Sequence, residues 1–544
     1  ILHKGDDFEY VNTGNQIREP YDSVIMIEDV VDLGNDQVRI IVQASPWQHI
    51  RPIGEDIVAG EMILPENHLI RPMDIGAVLS GGRTEILVYE QIRVGIMPTG
   101  NEITDYYDSL EKGKIFDTNS WTFQSIIEEL GGKAERISPV ADDYELLKTA
   151  ALDLLGRNHM LIINAGSSAG SKDFTARLIE DLGEVVMHGI AIKPGKPTIL
   201  GMIDKKPVIG VPGYPGSAFL VFEEVVSPVI RGMQRRKQES LPQAKATISR
   251  RMVSTLKYRE YIRVKLGKVG NKLIATPLNR GAGVTMALVK ADGIMTIPKN
   301  SEGFEAGEEV SVSLINDLSV IENTIVSIGS HDLIMDFIGS LLARKGKSLS
   351  SAHVGSMGGI MALKRGEAHI APIHLLDEET GEYNKSYLQK YLASEKVALI
   401  KGVKREQGFM IAKGNLKGIK TVEDLTRKDV LFVNRQKGSG TRILTDYLLK
   451  KAGIDSKAIK GYDRDMTTHM AVAAAVQSGT ADVGVGVYSA AKAMDLDFIS
   501  IGYEEYDFAI PEKYLETEMI KNFIEILRSE EFEIILKELG GYGR

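Results

Sequence analysis

The chain has 544 residues, 43% of them hydrophobic and 26% charged. That is the composition of a globular protein, and it is too long for one core, so about three to five domains are expected. It contains no cysteine, which excludes disulfides, thiolate-bound zinc, iron–sulfur clusters and thiol nucleophiles. The net charge of −9 argues against a nucleic-acid partner. No apolar run reaches the ~18 residues of a membrane span, and a cytoplasmic protein is expected. The chain opens Ile1-Leu2-His3-Lys4-Gly5, neither an initiator methionine nor a signal peptide, so its native beginning is expected to be missing.

Short β-type runs fill residues 1–90. Ser23-Val24-Ile25-Met26-Ile27 and Val38-Arg39-Ile40-Ile41-Val42 are bounded by Gly, Asn and Asp. From 91 to 235 the pattern changes. Strands at Arg93–Met97, Met160–Asn164 and Pro207–Val211 each end in a Gly- or Pro-containing loop, and a helix is predicted from Asn119 to Leu130, stopped by Gly131-Gly132. Strands alternating with helices imply a parallel α/β sheet, whose ligands sit beyond the carboxyl ends of the strands. Arg235–Pro242 reads as a linker, and 236–316 as a small β domain with alternation at Tyr261–Leu266. A second α/β unit, 320–544, repeats strand, Gly/Ser turn and helix: Thr324–Ile328 leads to a helix ending near Lys345, and Val430–Asn434 to one ending near Lys451.

The loop Asn164–Thr175 is the densest candidate site. Gly166, Ser167, Ser168 and Gly170 would let backbone amides approach a phosphate ahead of a helix N-terminus; a plain surface loop is the alternative. Glu102, Asp142 and Asp173 fall on the same sheet edge and offer the oxygen ligands that Mg²⁺ takes beside a phosphate. Taken singly, Asp142 reads as a helix N-cap and Glu102 as a solvated loop charge. Lys193 and Lys196 project from the stiff turn Lys193-Pro194-Gly195-Lys196-Pro197, suited to an anion or simply to solvent. Pro212, Pro215 and Ser217 follow the third strand.

Residues 1–315 resemble the MoeA family of molybdopterin molybdenumtransferases, which includes the E domain of gephyrin. The resemblance is carried by Asn12-Thr13-Gly14, Asp22–Asp29, Arg51–Asp56, Pro98–Ile103, Asp117–Ser120, the loop 164–175, Lys193–Pro197 and Val211–Pro215. It implies a multidomain α/β protein and a homodimer. The parts are an N-terminal and linker region (1–90), a parallel α/β molybdopterin-binding domain (91–235) and a small β domain (236–316). It implies that adenylylated molybdopterin and molybdate or tungstate are the substrates, that Mg²⁺ is required and that AMP leaves. The molybdopterin adenylyltransferase is an implied partner. By motif position, Thr13, Glu102, Asp142 and Asp173 are implied as catalytic, the three acids also as metal ligands. Gly166, Ser167, Ser168, Gly170, Lys193, Lys196, Pro212, Pro215 and Ser217 are implied to bind the pterin substrate. Two departures stand out: the family's stretch before Thr13 is absent, and Ser167 replaces a small residue of the family's Gly-Gly loop.

Residues 320–544 resemble the two-lobed periplasmic-binding-protein fold (type II) through His374–Asn384 and Ala481–Gly486. Ser330, Ser356 and Ser439 open three strand-to-helix turns, the last continuing into Gly440 and Thr441. Each turn is either a helix cap or part of an anion seat built from neutral donors, without lysine or arginine. The expected function is metal insertion with a fused oxyanion-binding domain held by a tether. The rival readings are a molybdate or cofactor sensor and a scaffold.

Overall fold

A computed structural model describes residues 1–165, 174–238, 240–281, 283–377 and 380–544. Two compact units divide the chain, Ile1–Glu90 and Gln91–Arg544.

In the first unit, β1 (Leu2–His3), β2 (Val30–Gly34) and β3 (Gln37–Ile40) form an antiparallel sheet with β3 in the middle, and α1 (Pro72–Ser80) follows a turn-rich stretch. The run Ser23–Ile27 is not a strand. Val24 N–H is taken by the Gln48 carbonyl at 3.0 Å, and Ile27–Asp29 makes a 3₁₀ turn. An apolar run needs a neighbouring strand to become one, and none lies beside it.

The second unit begins with a sheet in the order β5-β4-β6-β9-β8-β7. Its strands are β4 (Arg93–Pro98), β5 (Lys133–Arg136), β6 (Met160–Ala165), β7 (Glu184–His188), β8 (Ile199–Ile203) and β9 (Lys206–Pro212). β4, β5, β6 and β9 run parallel, while β7 and β8 close one edge antiparallel. The helices α2 (Asn119–Glu129), α3 (Tyr144–Arg157), α4 (Phe174–Leu182) and α5 (Pro215–Val221) cover it. One face buries Val94, Ile96, Ile162 and Ile209 against Phe123 and Phe222; the other buries Met97, Leu161 and Ile163 against Leu154 and Ile179. Two apolar faces explain why these strands read as unbroken apolar runs.

A small sheet follows, built on β10 (Gln243–Ile248), β11 (Arg259–Val269), β12 (Lys272–Pro277), β13 (Gly293–Ile297) and β14 (Glu309–Leu314). The tether expected after it does not exist. Val269 and Ile274 share a core with Val326 and Ile328, a Cβ on Gly267 would strike Val326 at 2.3 Å, and Lys268 pairs with Glu322 at 2.6 Å. Apolar packing of this kind fixes two domains together rather than leaving them on a flexible linker.

The last part has two lobes with separate cores. One lobe holds β15 (Thr324–Gly329), α6 (Ile334–Ala343), β16 (Ser348–His353), α7 (Ser356–Lys364) and β17 (Ala371–Ile373). The other holds β19 (Phe432–Arg435), α8 (Gly440–Lys451), β20 (Asp465–Met466), α9 (His469–Gln477) and β21 (Val483–Val487). Two antiparallel strands of 15 residues, β18 (Val397–Ile411) and β22 (Asp497–Pro511), run through both. The C-terminal helices α10 (Glu518–Arg528) and α11 (Glu530–Leu539) return to the first lobe, where Phe523 and Phe532 pack on Phe508 and Ile338.

Candidate functional site

Two groups of polar residues lie at strand ends. In the central α/β part, the ends of β6 and β9 and the start of α2 are tied together by side-chain amides. Asn119, the first residue of α2, donates to Asn164 Oδ1 (3.1 Å) and to the Gly213 carbonyl (2.7 Å), and Asn164 donates to the Val211 and Pro212 carbonyls (3.2 and 3.0 Å). Asp117 receives Ser120 N–H at 3.1 Å and fixes the start of α2, and Arg136 lies 2.8 Å from Asp105 and 3.6 Å from Asp117. Asn119 and Asn164 are positioning residues that sequence reasoning missed. Their signal was available, a polar side chain at the end of an apolar strand and another at a helix start.

Two of the expected acids lie in neighbouring loops at this edge. The loop after β4 crosses to the one before α3 through Gly100 N–H on the Val140 carbonyl (3.2 Å) and Asp142 N–H on Asn101 Oδ1 (3.1 Å). Asp142 is not the helix cap: Asp143 takes that position, accepting from Glu145 and Leu146 N–H at 3.0 Å. With its amide held by Asn101, Asp142 stands one residue outside the helix, and its carboxylate is exposed. Glu102 is exposed as well. Neither carboxylate has an ion-pair partner among the described residues, and two free carboxylates on adjoining loops suit Mg²⁺, which takes oxygen ligands and keeps several waters. Among the described residues no three acid or histidine side chains are grouped closely enough to hold a metal. Asp173, the third expected ligand, and Gly166, Ser167, Ser168 and Gly170 lie outside the described residues.

The remaining expected residues of this part are dispersed along its edge. Lys193 is paired with the buried carboxylate of Glu260 at 2.8 Å, which Arg280 also approaches at 3.4 Å. Lys196 is exposed and unpaired among the described residues. Pro212 ends β9, Pro215 begins α5, and Ser217 is buried one turn into that helix, its N–H on the Tyr214 carbonyl. Thr13 lies in an exposed turn of the first unit.

In the C-terminal part the three serine turns converge on His374, which follows β17. Its Nε2 is 2.7 Å from Ser330 Oγ, its N–H donates to Ser356 Oγ (3.1 Å), and its ring lies against Gly440, where a Cβ would sit 2.1 Å from His374 Cε1. Ser439 caps α8 by accepting Arg442 N–H at 3.2 Å. Behind His374 runs a buried ionic chain. His374 Nδ1 meets Glu504 at 2.8 Å; Glu504 meets Arg405 and Gln407; Arg405 pairs with Asp332 at 2.7 Å, and Asp332 accepts from Tyr542 at 2.8 Å. The guanidinium of Arg405 also lies 4.4 Å over the Tyr506 ring. Despite full burial, Arg405 and His374 hold Glu504 down to about 2.

Near the serine turns lies an arginine that the sequence reading left out. Arg435, four residues before Ser439, is only 3% exposed, and burial together with the neighbouring Arg405 draws its guanidinium down to about 10. Burial also keeps the imidazole of His469 neutral well below its usual range. Arg405, Glu504 and Arg435 were hidden from sequence reading because a charge within or at the end of a strand is read as solvent-facing.

Four family models match the chain: "MoeA N-terminal region (domain I and II)" over 2–82, "Probable molybdopterin binding domain" over 95–232, "MoeA C-terminal region (domain IV)" over 245–315, and "PBP superfamily domain" over 339–528. The chain is 33% identical over 327 residues to "Putative molybdopterin biosynthesis protein MJ0666" of Methanocaldococcus jannaschii, covering 58% of this chain and 79% of that protein. It is 29% identical over 312 residues to the molybdopterin molybdenumtransferase of Haemophilus influenzae, covering 57% and 77%. It is 36% identical over 218 residues to protein YvgK of Bacillus subtilis, covering 40% and 70%. Among solved structures, a MoeA protein from Pyrococcus horikoshii matches with 32% identity and a TM-score of 0.44, covering 54% of this chain and 72% of that one. No helix among the described residues is long and apolar enough to cross a membrane.

Proposed function

The chain belongs to the MoeA family of molybdopterin biosynthesis proteins, and from that membership we propose that it is a molybdopterin molybdenumtransferase of molybdenum cofactor biosynthesis carrying a fused oxyanion-binding domain. In this reading the working parts are 1–90, 91–235, 236–316 and 320–544. The enzyme takes adenylylated molybdopterin and molybdate or tungstate, cleaves the adenylate, releases AMP and leaves the metal on the dithiolene. Two copies of the chain work as a homodimer, and the molybdopterin adenylyltransferase supplies the substrate.

The observation that supports this most is the pair Glu102 and Asp142, two exposed carboxylates without an ion-pair partner among the described residues, on loops joined by the Asn101–Asp142 hydrogen bond. With Asp173 they would hold Mg²⁺, which supplies charge neutralisation as the phosphoanhydride breaks. Lys196 would hold the pterin phosphate, and Lys193, Pro212, Pro215, Ser217, Gly166, Ser167, Ser168 and Gly170 are proposed to bind the pterin substrate, with Thr13 a further proposed catalytic residue. A cleft at Ser330, Ser356, Ser439, Gly440 and Thr441 would take the oxyanion.

The test is AMP release from adenylylated molybdopterin with Mg²⁺ and molybdate. Glu102→Ala, Asp142→Ala and Asp173→Ala should each lower turnover ~10²-fold or more, the scale of a lost metal or oxyanion contact. Glu102→Ala and Asp142→Ala should leave the unfolding temperature unchanged, because both side chains are exposed. Near-normal AMP release by all three variants sinks the assignment.

A further inference from the structure

Among the described residues, nine buried side-chain polar atoms of the C-terminal part lack a hydrogen-bond partner, and five of them are Arg405 Nη2, Arg435 Nη1, Thr441 Oγ1, His331 Nδ1 and His469 Nδ1. These five belong to the segments in which the two lobes face each other. Ser330-His331 follows β15, Arg435 ends β19, Thr441 is in the first turn of α8, and His469 opens α9. Arg405 lies on β18 beside β21, whose Gly486 adjoins His469, where a Cβ would stand 3.3 Å from Nδ1. Orphaned buried atoms are rare in folded proteins, and a group of them at one place signals a partner that binds there.

Arg435 is the informative member. Among the described residues its guanidinium meets backbone carbonyls and no carboxylate: Met466 at 3.3 Å from Nε and Thr467 at 3.2 Å from Nη2. The nearby acids are already engaged. Asp332 serves Arg405 and Tyr542, and Glu504 serves Arg405, Gln407 and His374. A guanidinium in this setting is a buried charge without a counter-ion. Space is small. Gly440 lies against the His374 ring, and a Cβ on Gly355 would stand 3.1 Å from the Gly438 carbonyl. These approaches leave little room between the loops of the two lobes.

We infer that the C-terminal part seats a small, doubly charged tetrahedral oxyanion on Arg435, with Thr441 Oγ1, the N–H groups that open α8 and the His469 imidazole completing its shell. The inference rests on the reading that this part binds an oxyanion, and it replaces a seat of neutral donors with a cationic one. Arg435 supplies the charge, and Arg405, balanced by its two acids, stiffens the wall behind it. A free oxyanion and the phosphate end of a pterin share this chemistry; the closeness of the loops favours the free ion.

Calorimetry on the full chain with molybdate, tungstate and phenyl phosphate tests it, with stoichiometry separating this site from the central one. Wild type should bind molybdate or tungstate here at least 10-fold tighter than phenyl phosphate. Arg435→Gln should weaken that site 100-fold or more, Arg435→Lys and Thr441→Val about 10-fold each. If wild type binds neither oxyanion, the oxyanion reading of this part falls and the inference with it. If wild type binds and Arg435→Gln stays within 3-fold, only the inference falls. If Arg435→Gln does not fold, unchanged affinity in both Arg435→Lys and Thr441→Val overturns it. Tighter binding of phenyl phosphate than of either oxyanion overturns the small-ion assignment.

Discussion

The two candidate sites obey one topological rule and make opposite use of it. Both gather loops beyond the carboxyl ends of parallel strands. In the central part those loops present Glu102 and Asp142, exposed and without an ion-pair partner among the described residues. In the C-terminal part Arg435 and His469 are buried at those strand ends, and Arg405, within β18 behind them, is paired with two acids. Exposed carboxylates suit a cation that keeps part of its water and a large substrate that arrives solvated. A small anion must give up its water shell, so its partners must already be dry and fixed. The central site is therefore adjustable and adds little to stability, whereas the C-terminal site is part of the core.

The largest effect should come from breaking that core. Arg405→Met leaves Asp332 and Glu504 buried without their cation, a change that costs about 3–5 kcal/mol. Urea unfolding read by a probe in the C-terminal part should show the loss, while Glu102→Ala should stay within about 0.5 kcal/mol of wild type. A loss below about 1 kcal/mol for Arg405→Met would mean that water reaches the pair, and the contrast between a dry and a wet site would collapse.

What the sequence disclosed follows the same division. The strands at 93–98, 160–165 and 206–212 and the helices at 119–129 and 440–451 were legible because their periodicity or apolar run is local. That Glu102 and Asp142 are exposed loop residues was legible because they follow Gly- and Pro-marked strand ends. The buried ionic chain was not. Lys401, Lys404, Arg405 and Glu406 fall within seven positions of each other on β18, yet only Arg405 among them is buried, because β22 sets Glu504 beside it. Pairing between strands nearly 100 residues apart is a tertiary fact. The one-residue choice between Asp142 and Asp143 as cap was lost for a related reason, since it depends on Asn101, 41 residues away.

A second effect, somewhat smaller, concerns pH. His369 is buried, its Nδ1 accepts Val326 N–H at 3.0 Å, and burial draws its imidazole down to about 4 from an ordinary 6.5. In the unfolded chain it binds a proton below about 6.5, but in the folded chain only near 4. The unfolded state is thus the better proton binder in that window, and stability falls as pH drops through it. The contribution is complete above about pH 6.5 and lost near pH 4, on the order of 3 kcal/mol for a shift of this size. Denaturant titrations at pH 7 and pH 4.5 should show the decline, to which the buried His331, His353 and His469 add with the same sign, and His369→Gln should make it shallower while being less stable at pH 7. An equal pH slope in both proteins would assign the decline to other groups. Glu102→Ala and Asp142→Ala should leave the slope alone, which keeps the two regions distinct.

The smallest effect separates two lysines that look alike in sequence. Lys193 spends its charge on Glu260, while Lys196 has no partner among the described residues. A charge already neutralised by a carboxylate 2.8 Å away attracts a phosphate weakly, because the anion must compete with that carboxylate. Lys196→Ala should therefore raise the KM for adenylylated molybdopterin about 10-fold with kcat unchanged, the pattern of a lost uniform binding contact. Lys193→Ala should raise it less than about 3-fold. It should also cost up to about 1 kcal/mol of stability, since Glu260 is buried but keeps Arg280 at 3.4 Å and the lysine is half exposed. The two changes should add in the double variant if the lysines act independently. Steady-state kinetics on the three variants decides the point. A larger KM effect from Lys193→Ala would mean that the Glu260 pair opens when substrate binds. A fall in kcat at saturating substrate would move Lys196 from holding the phosphate to stabilising the transition state. Either result would show the central site to be as tightly organised as the C-terminal one.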